Sequence, residues 1–426
     1  MTDAGWMASI LTAARPQALA ALLRRFRDLD TAEEAFQEAC LRALKAWPKH
    51  GPPRDAAAWL IMVGKNAAID GVRRRSKLEP VPSVEQVFEL ADSEATAIER
   101  IDAADYRDDI LRLLFICCHP ELPATQQIAL ALRVVSGLSV KQIARAFLVG
   151  EAAMEQRITR AKARVLAANV PFEVPGAVER SERAAAVIAM IYLLFNEGYT
   201  IDVAARGAKS ALCEEAIRLG RLLLRLFPTE PEIMALAALM MLQHARAPAR
   251  FDAQGQTVLL DDQNRALWNR PMIAEGLALV DKAVRHGRPG PYQVQAAIAA
   301  LHARAAKPED TDWAQIDLLY GTLERMQPSP VVTLNRAVAV AKVRGPDPAL
   351  ALIEPLAAKL AGYFYFHGTR GALLKQLGRV DEARVAFDRA IALANTPAEA
   401  AHIREQLDRL GAAPAECSVN ASKKNS

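Results

Sequence analysis

At 426 residues the chain is too long for one hydrophobic core, and its length points to two to four domains. Hydrophobic residues make up 52% and charged residues 24%, which excludes a mostly disordered chain. Aromatic content is only 6%, Ala and Leu abound and few segments alternate with period two, so an all-α fold is expected. The net charge of +4 excludes a uniformly basic protein, but the charge is unevenly spread. Met1–Lys77 holds 13 Lys/Arg against 8 Asp/Glu, Glu79–Asp109 holds 2 against 10, and Arg133–Val165 holds 7 against 2. Two basic blocks separated by an acidic one suggest two nucleic-acid contacts joined by a tether that avoids DNA.

Five cysteines, with Cys117 and Cys118 adjacent, read as a reduced cytosolic thiol set rather than a disulfide framework. Met1–Arg25 lacks an apolar core ending in a cleavage site, and no uncharged apolar run reaches the roughly 18 residues of a membrane span. A cytoplasmic protein is expected.

In chain order, "DTAEEAFQEACLRALKAW" (Asp30–Trp47) starts with cap-capable Asp30 and Thr31, and Ala35, Ala39, Leu41 and Leu44 recur at helical spacing. "PKHGPPRD" (Pro48–Asp55) reads as a loop. "WLIMVGKNAAIDGVRRRSK" (Trp59–Lys77) is a helix with two faces. Leu60, Gly64, Ala67 and Gly71 form a close-packing stripe, and Met62, Asn66, Asp70, Arg73 and Lys77 form another. Small polar groups followed by Arg73, Arg74 and Arg75 suit a nucleic-acid strand lying along the helix; three arginines alone would read as cations at a helix C-terminus. The proline-containing acidic stretch 78–105 reads as a linker, with a short helix near Val84–Leu90.

From Tyr106 a second unit begins. "ATQQIALALRVVSG" and "LSVKQIARAFLVG" are short helices joined at Ser136-Gly137, with Ser139 placed to cap the second and Gly150 at its last turn. "EAAMEQRITRAKARVLAAN" follows as the recognition helix of a helix–turn–helix. Its Met154, Ile158 and Val165 face inward. Glu155, Gln156, Thr159 and Arg160 face outward towards base edges, and Lys162 and Arg164 lie near phosphates.

After Pro171–Pro175 the chain turns into Ala/Leu-rich helix. "EEAIRLGRLLLRLFPTEPEIMALAALMMLQ" is read as one helix pair, and Phe251–Trp268 as a small hairpin insertion. "YQVQAAIAALHARA" with "WAQIDLLYGTLERM" is a further pair. Phe366–Pro397 has Ala372, Leu374, Gly378, Ala383, Phe387, Ala390 and Pro397 where a tetratricopeptide unit places small residues, a turn glycine and a closing proline. Val331–Leu356 is a looser copy, displaced by 35 residues when Ala337 is set on Ala372. The expected domains are 1–77, the linker 78–105, 106–170, a helical extension 171–290, repeats 291–411 and a disordered tail 412–426.

Catalytic signals are poor. Cys117-Cys118-His119 has no second ligand pair, Asp261-Asp262 reads more readily as a turn than as a cation site, and no phosphate loop or nucleophile elbow is present. Neither enzyme activity, nor a cofactor, nor a metal is expected.

The order "AEEAFQEACLRAL", a Pro/Gly loop, "AAWLIMVGKNAAIDGVRRR", an acidic linker and a helix–turn–helix ending in "RAKARV" closely resembles a bacterial RNA polymerase sigma factor of the extracytoplasmic-function type. The resemblance covers about the first 170 residues. "IYLLFNEGY" and "LLDDQNRALW" in the extension resemble the subgroup that carries a tetratricopeptide-like C-terminal domain. The resemblance implies that Asn66, Asp70, Arg73, Arg74 and Arg75 meet the start-proximal promoter element. Lys49–Asp55 would lie where relatives capture a flipped base, although this loop has no aromatic residue to stack on it. Glu155, Gln156, Thr159, Arg160, Lys162 and Arg164 would meet the upstream element, Glu155 standing where relatives often have a basic residue. Glu33, Glu34, Gln37, Glu38, Leu41 and Arg42 would face the β′ coiled coil of core RNA polymerase. For that helix the bland alternative is that its charges only solvate it and Leu41 is core. Two other readings stay open: a helix–turn–helix regulator acting alone with a repeat domain as sensor, and a repeat adaptor whose groove holds a protein or peptide partner.

Overall fold

The computed structural model describes residues 3–75, 103–147, 149–168, 177–199, 206–252, 258–394 and 397–411. These residues form an all-α protein in two compact units, one built from Met1–Gly198 with Glu214–Ala216, the other from the remainder. The expected linker helix near Val84–Leu90 and the expected disordered tail lie outside the described residues.

In the first unit, α1 (Asp3–Phe26), α2 (Leu29–His50) and α3 (Ala56–Arg75) pack on one another. Leu19, Leu22, Phe36, Trp47, Trp59 and Leu60 fill the space between them. The Trp47 and Trp59 rings meet edge to face, 5.5 Å between centroids. Gly64 lets α3 approach α2, since a Cβ there would lie 3.0 Å from the Ala35 carbonyl oxygen and 3.1 Å from Leu22. Two local expectations shift. The cap of α2 is Asp28, whose carboxylate accepts from the Thr31 N–H at 2.8 Å, so Asp30 lies in the first turn. The helix also runs on through Pro48 to His50 before Gly51, at φ +80°, stops it.

Next come α4 (Ala103–Cys117), α5 (Ala124–Val134), α6 (Val140–Ala146) and α7 (Glu151–Ala167). α5 and α6 both pack on α7, and α4 packs on α1. Gly137 takes the left-handed turn at φ +73° between α5 and α6. Ser139 and Gln142 cap α6 reciprocally: Ser139 Oγ accepts from the Gln142 N–H at 3.2 Å, and Gln142 Oε1 accepts from the Ser139 N–H at 2.8 Å. Gly150 is the N-cap of α7 rather than the last turn of α6. α8 (Ala177–Tyr199) and α9 (Arg206–Leu226) continue the chain.

In the second unit α10 (Pro231–His244) is apolar all round and buried from Ile233 to Leu242, between α11 (Arg270–Val284) and α12 (Pro291–Arg304). Of the expected hairpin, the described residues show one backbone bond, Val258 N–H to the Arg250 carbonyl at 2.9 Å, followed by two 3-10 turns. Residues 253–257 lie outside the described residues. Arg265 clamps this segment down: its guanidinium reaches the carbonyls of His302 at 3.0 Å and Ala305 at 2.6 Å. Asp261 is held by Lys342 at 2.8 Å.

Then α13 (Trp313–Met326), α14 (Pro330–Arg344), α15 (Pro346–Ile353), α16 (Phe364–Gln376), α17 (Val380–Leu393) and α18 (Pro397–Gly411) pack each on the next. The buried faces of α14 to α18 share one apolar core from Leu334 to Leu410, while Ile316 and Leu323 of α13 pack with Val294 and Ile298 of α12 and Ala339 of α14. The small residue beneath the buried Phe387 ring is Gly371, where a Cβ would come within 2.6 Å of the ring. Ala372, which the repeat pattern put in that role, is exposed.

Candidate polymerase and nucleic-acid surfaces

The α2 helix presents one continuous outer stripe. Glu34, Gln37, Glu38, Leu41, Leu44 and Lys45 are all exposed, while Ala32, Ala35, Phe36, Ala39 and Ala43 form the opposite, buried stripe. Leu41 is 54% exposed and Leu44 48%, so the reading of Leu41 as core is wrong. Arg42 is half-buried and bonded to Glu38 at 3.1 Å.

Glu33 departs from this set. It is only 5% exposed, and its two oxygens face Arg15 at 3.3 Å and Lys162 at 2.6 Å. It therefore does not share the outer face of Glu34 and Glu38. The helical offset explains this: one residue is 100° of rotation, enough to move a side chain from the stripe to the packed side.

On α3, Asn66 is half-buried beside exposed Lys65, while the side chains of Asp70, Arg73, Arg74 and Arg75 lie outside the described residues. In the preceding loop, Asp55 caps α3 by accepting from the Ala58 N–H at 3.0 Å, and Arg54 is exposed. Between α1 and α3 an open groove of about 560 Å³ is lined by Arg24, Arg25, Arg27 and Lys65. Sequence reading missed this basic groove because its cations come from two helices. Arg27 stands in the left-handed region at φ 55°, a strained placement for a non-glycine residue.

On α7, Met154, Ile158 and Ala161 are buried, whereas Glu155, Gln156, Thr159 and Arg160 are exposed. Arg164 is exposed and bonds Gln126 at 3.3 Å. Lys162 is half-buried and bound to Asp30 at 2.7 Å and Glu33 at 2.6 Å. Burial disfavours its charge, but the hydrogen bonds it donates to both carboxylates, with their negative charge, outweigh this and its pKa is raised. Arg15 is the second residue that the sequence reading missed. Its Nε donates to the Val134 carbonyl at 2.9 Å and its Nη2 to the Arg133 carbonyl at 3.2 Å. The signal was available: Arg15 is a lone cation in "LTAARPQALAALL", a run otherwise built to be buried.

Burial pushes the Cys118 thiol up to about 12 and the Cys40 thiol to about 11, so both stay protonated. Among the described residues no group of His, Cys, Asp and Glu is arranged to hold a metal, and no helix is long and apolar enough to cross a membrane.

Three family models match the chain. Sigma-70 region 2 matches residues 10–78, which hold α1 to α3, and sigma-70 region 4 matches 112–165, which hold the helix–turn–helix. A family of unknown function, DUF6596, matches 183–284. Regions 2 and 4 in this order define a sigma-70 family sigma factor with a role in promoter recognition, a class of transcription initiation factors. An uncharacterized protein of Rhizobium meliloti (strain 1021) is 68% identical over 415 residues, covering 97% of this chain and 98% of its own. The chain belongs to the same family as that protein.

Proposed function

We propose that the chain is a cytoplasmic sigma factor of the extracytoplasmic-function type that binds core RNA polymerase and directs it to promoters. The exposed stripe of α2 docks on the β′ coiled coil, with Glu34, Gln37 and Glu38 around Leu41. The observation that carries this reading is the exposure of Leu41 and Leu44 in the middle of an acidic and polar face. An apolar anchor rimmed by charge is the composition of a protein-docking surface.

The α3 helix, through Asn66, Asp70, Arg73, Arg74 and Arg75, meets the start-proximal element, and the groove of Arg24, Arg25, Arg27 and Lys65 extends its positive field. The exposed Gln156 and Arg160 read the upstream element, flanked by Glu155 and Thr159, with Lys162 and Arg164 towards phosphates. Polymerisation belongs to the partner. The C-terminal helices act as tetratricopeptide-like pairs whose groove holds a protein or peptide and which transcription requires. A helix pair cannot bury its apolar face alone, and here one core runs through α14 to α18.

Run-off transcription with purified core polymerase tests the reading. The wild-type chain should support promoter-dependent initiation. Glu34→Arg with Glu38→Arg, or Leu41→Asp, should abolish core association without loss of helicity. A chain cut after Pro171 should bind core polymerase and lose most transcription. Wild-type core affinity in the α2 variants would refute the assignment.

A further inference from the structure

In the second unit, one neighbourhood gathers polar atoms that the fold leaves without partners. Arg246 Nε, Gln263 Oε1, Arg265 Nε, Trp268 Nε1 and His302 Nδ1 are shielded from solvent, and none of them makes a hydrogen bond. Arg265 is 6% exposed, Trp268 3% and Gln263 9%, so these three lie inside, while Arg246 and His302 are half-buried and reach the surface. The five belong together. The Arg265 guanidinium lies 4.9 Å from the centre of the Trp268 ring and bonds the His302 carbonyl at 3.0 Å. The Asn269 N–H, next to Trp268, donates to the carbonyl of Ala245, next to Arg246, at 2.9 Å. Burial and the positive charge of Arg246 lower the pKa of both Arg265 and His302.

Buried polar atoms are nearly always hydrogen-bonded, because an unmet donor or acceptor loses its water and gains nothing in return. Here the deficit is of one kind. The two guanidinium Nε atoms and the indole nitrogen can only donate, and His302 Nδ1 is a further donor in the tautomer that carries its proton there. Gln263 Oε1 is the lone acceptor, since Nε2 of the same amide donates to the Val258 carbonyl at 3.1 Å. Counter-charge is missing as well. Among the described residues no carboxylate lies within ion-pair distance of Arg246 or Arg265. Asp261, Glu309 and Asp310, whose charges act on Arg265, are exposed, and Asp261 is taken by Lys342.

We propose that this neighbourhood is a binding site for a phosphate group, as free phosphate or as a small phosphate monoester. A tetrahedral oxyanion offers several acceptor oxygens to the orphaned donors, its hydroxyl or ester-borne hydroxyl can donate to Gln263 Oε1, and two guanidiniums balance its charge. Arg246 is the movable wall. Among the described residues its guanidinium makes one hydrogen bond, to the Tyr199 hydroxyl at 3.0 Å, so turning this side chain admits the ligand from solvent. Arg246, Gln263, Arg265 and Trp268 all fall within the stretch 183–284 matched by the family of unknown function, and the site gives that stretch a chemistry. It is separate from the promoter contacts and from the peptide groove proposed above.

The test is isothermal titration calorimetry of the full chain, with inorganic phosphate, glycerol phosphate and acetate as probes in a buffer free of other polyanions. The wild-type chain should bind inorganic phosphate, glycerol phosphate or both at one site with millimolar or tighter affinity, and acetate at least about tenfold more weakly, as expected of a ligand with fewer acceptor oxygens. The tighter of the two phosphates shows whether the group is taken free or as an ester. Arg246→Gln and Trp268→Phe, the latter removing the indole N–H and keeping an aromatic ring, should each weaken binding about tenfold with unchanged helicity. Arg221→Gln, at an exposed arginine paired with Glu275, should leave it unchanged. If Trp268→Phe fails to fold, Arg246→Gln at its half-buried position carries the same test. Absence of phosphate binding in the wild type, or binding that Arg246→Gln does not weaken, would overturn the site. Acetate bound as tightly as phosphate would overturn the choice of ligand. All these readouts need neither polymerase nor DNA, so they stand or fall apart from the functional reading.

Discussion

Glu33 and Lys162 are 129 residues apart in the chain, and their charged atoms lie 2.6 Å apart in the fold. Glu34, the next residue, points into solvent. Removing these two neighbouring carboxylates should therefore have unlike effects. Glu33→Ala leaves the half-buried Arg15 guanidinium without its counter-charge and should destabilise the first unit by about 3 kcal/mol. Glu34→Ala should change stability by less than about 0.5 kcal/mol. Denaturant unfolding followed by helicity measures both, and equal effects would contradict the placement of Glu33.

The exposed Arg160 allows a clean separation of folding from recognition. Arg160→Ala should leave the unfolding transition in place, because the side chain is exposed. It should cost about 1–3 kcal/mol of discrimination at one position of the upstream element if it forks onto a guanine. Footprinting across single-base promoter variants reads this. A uniform loss over all variants would make Arg160 a phosphate contact.

Gly371 should not tolerate a methyl group. A Cβ there would sit 2.6 Å from two atoms of the Phe387 ring, which is itself buried against α16. Alanine is the better helix former by about 1 kcal/mol, yet the ring must move. Gly371→Ala should therefore be destabilising by about 1–3 kcal/mol, and Ala372→Gly by less than about 1 kcal/mol. Thermal unfolding of the two variants compares them, and a stabilised Gly371→Ala would show that the helix pair has slack.

The second unit should weaken in mild acid through His302. Burial, with Arg246 and Arg265 nearby, lowers its pKa to about 4 from an ordinary 6.5. The unfolded chain therefore binds a proton that the folded chain refuses. Stability from this group is complete above pH 6.5, falls as pH drops towards 4, and the loss reaches about 3 kcal/mol at most. The ring also meets Trp313 edge to face, 5.1 Å between centroids. Comparing wild type with His302→Gln between pH 7 and 4 isolates the effect, since the variant should lack this part of the slope. Parallel curves would mean that the histidine titrates normally.

Much of the architecture was legible without coordinates. Helical spacing, Asp and Ser caps, the Ser136-Gly137 turn and the order of basic and acidic blocks are short-range features, each decided within a few residues by backbone and side-chain chemistry. They were sufficient for the all-α class, the helix–turn–helix and the outward face of Gln156 and Arg160. Errors of one or two residues, such as Asp30 for Asp28 as cap and Ala372 for Gly371 as the small contact, arose where nearby residues satisfied the same local rule. Only packing distinguishes them, because a 100° step around a helix changes which partner a side chain meets. The pairing of Arg15 and Lys162 with Glu33 lay beyond any local rule. Opposite charges at distant positions are common in every sequence. Only the tertiary fold brings one chosen set within 4 Å, where removal from water makes their partnership matter.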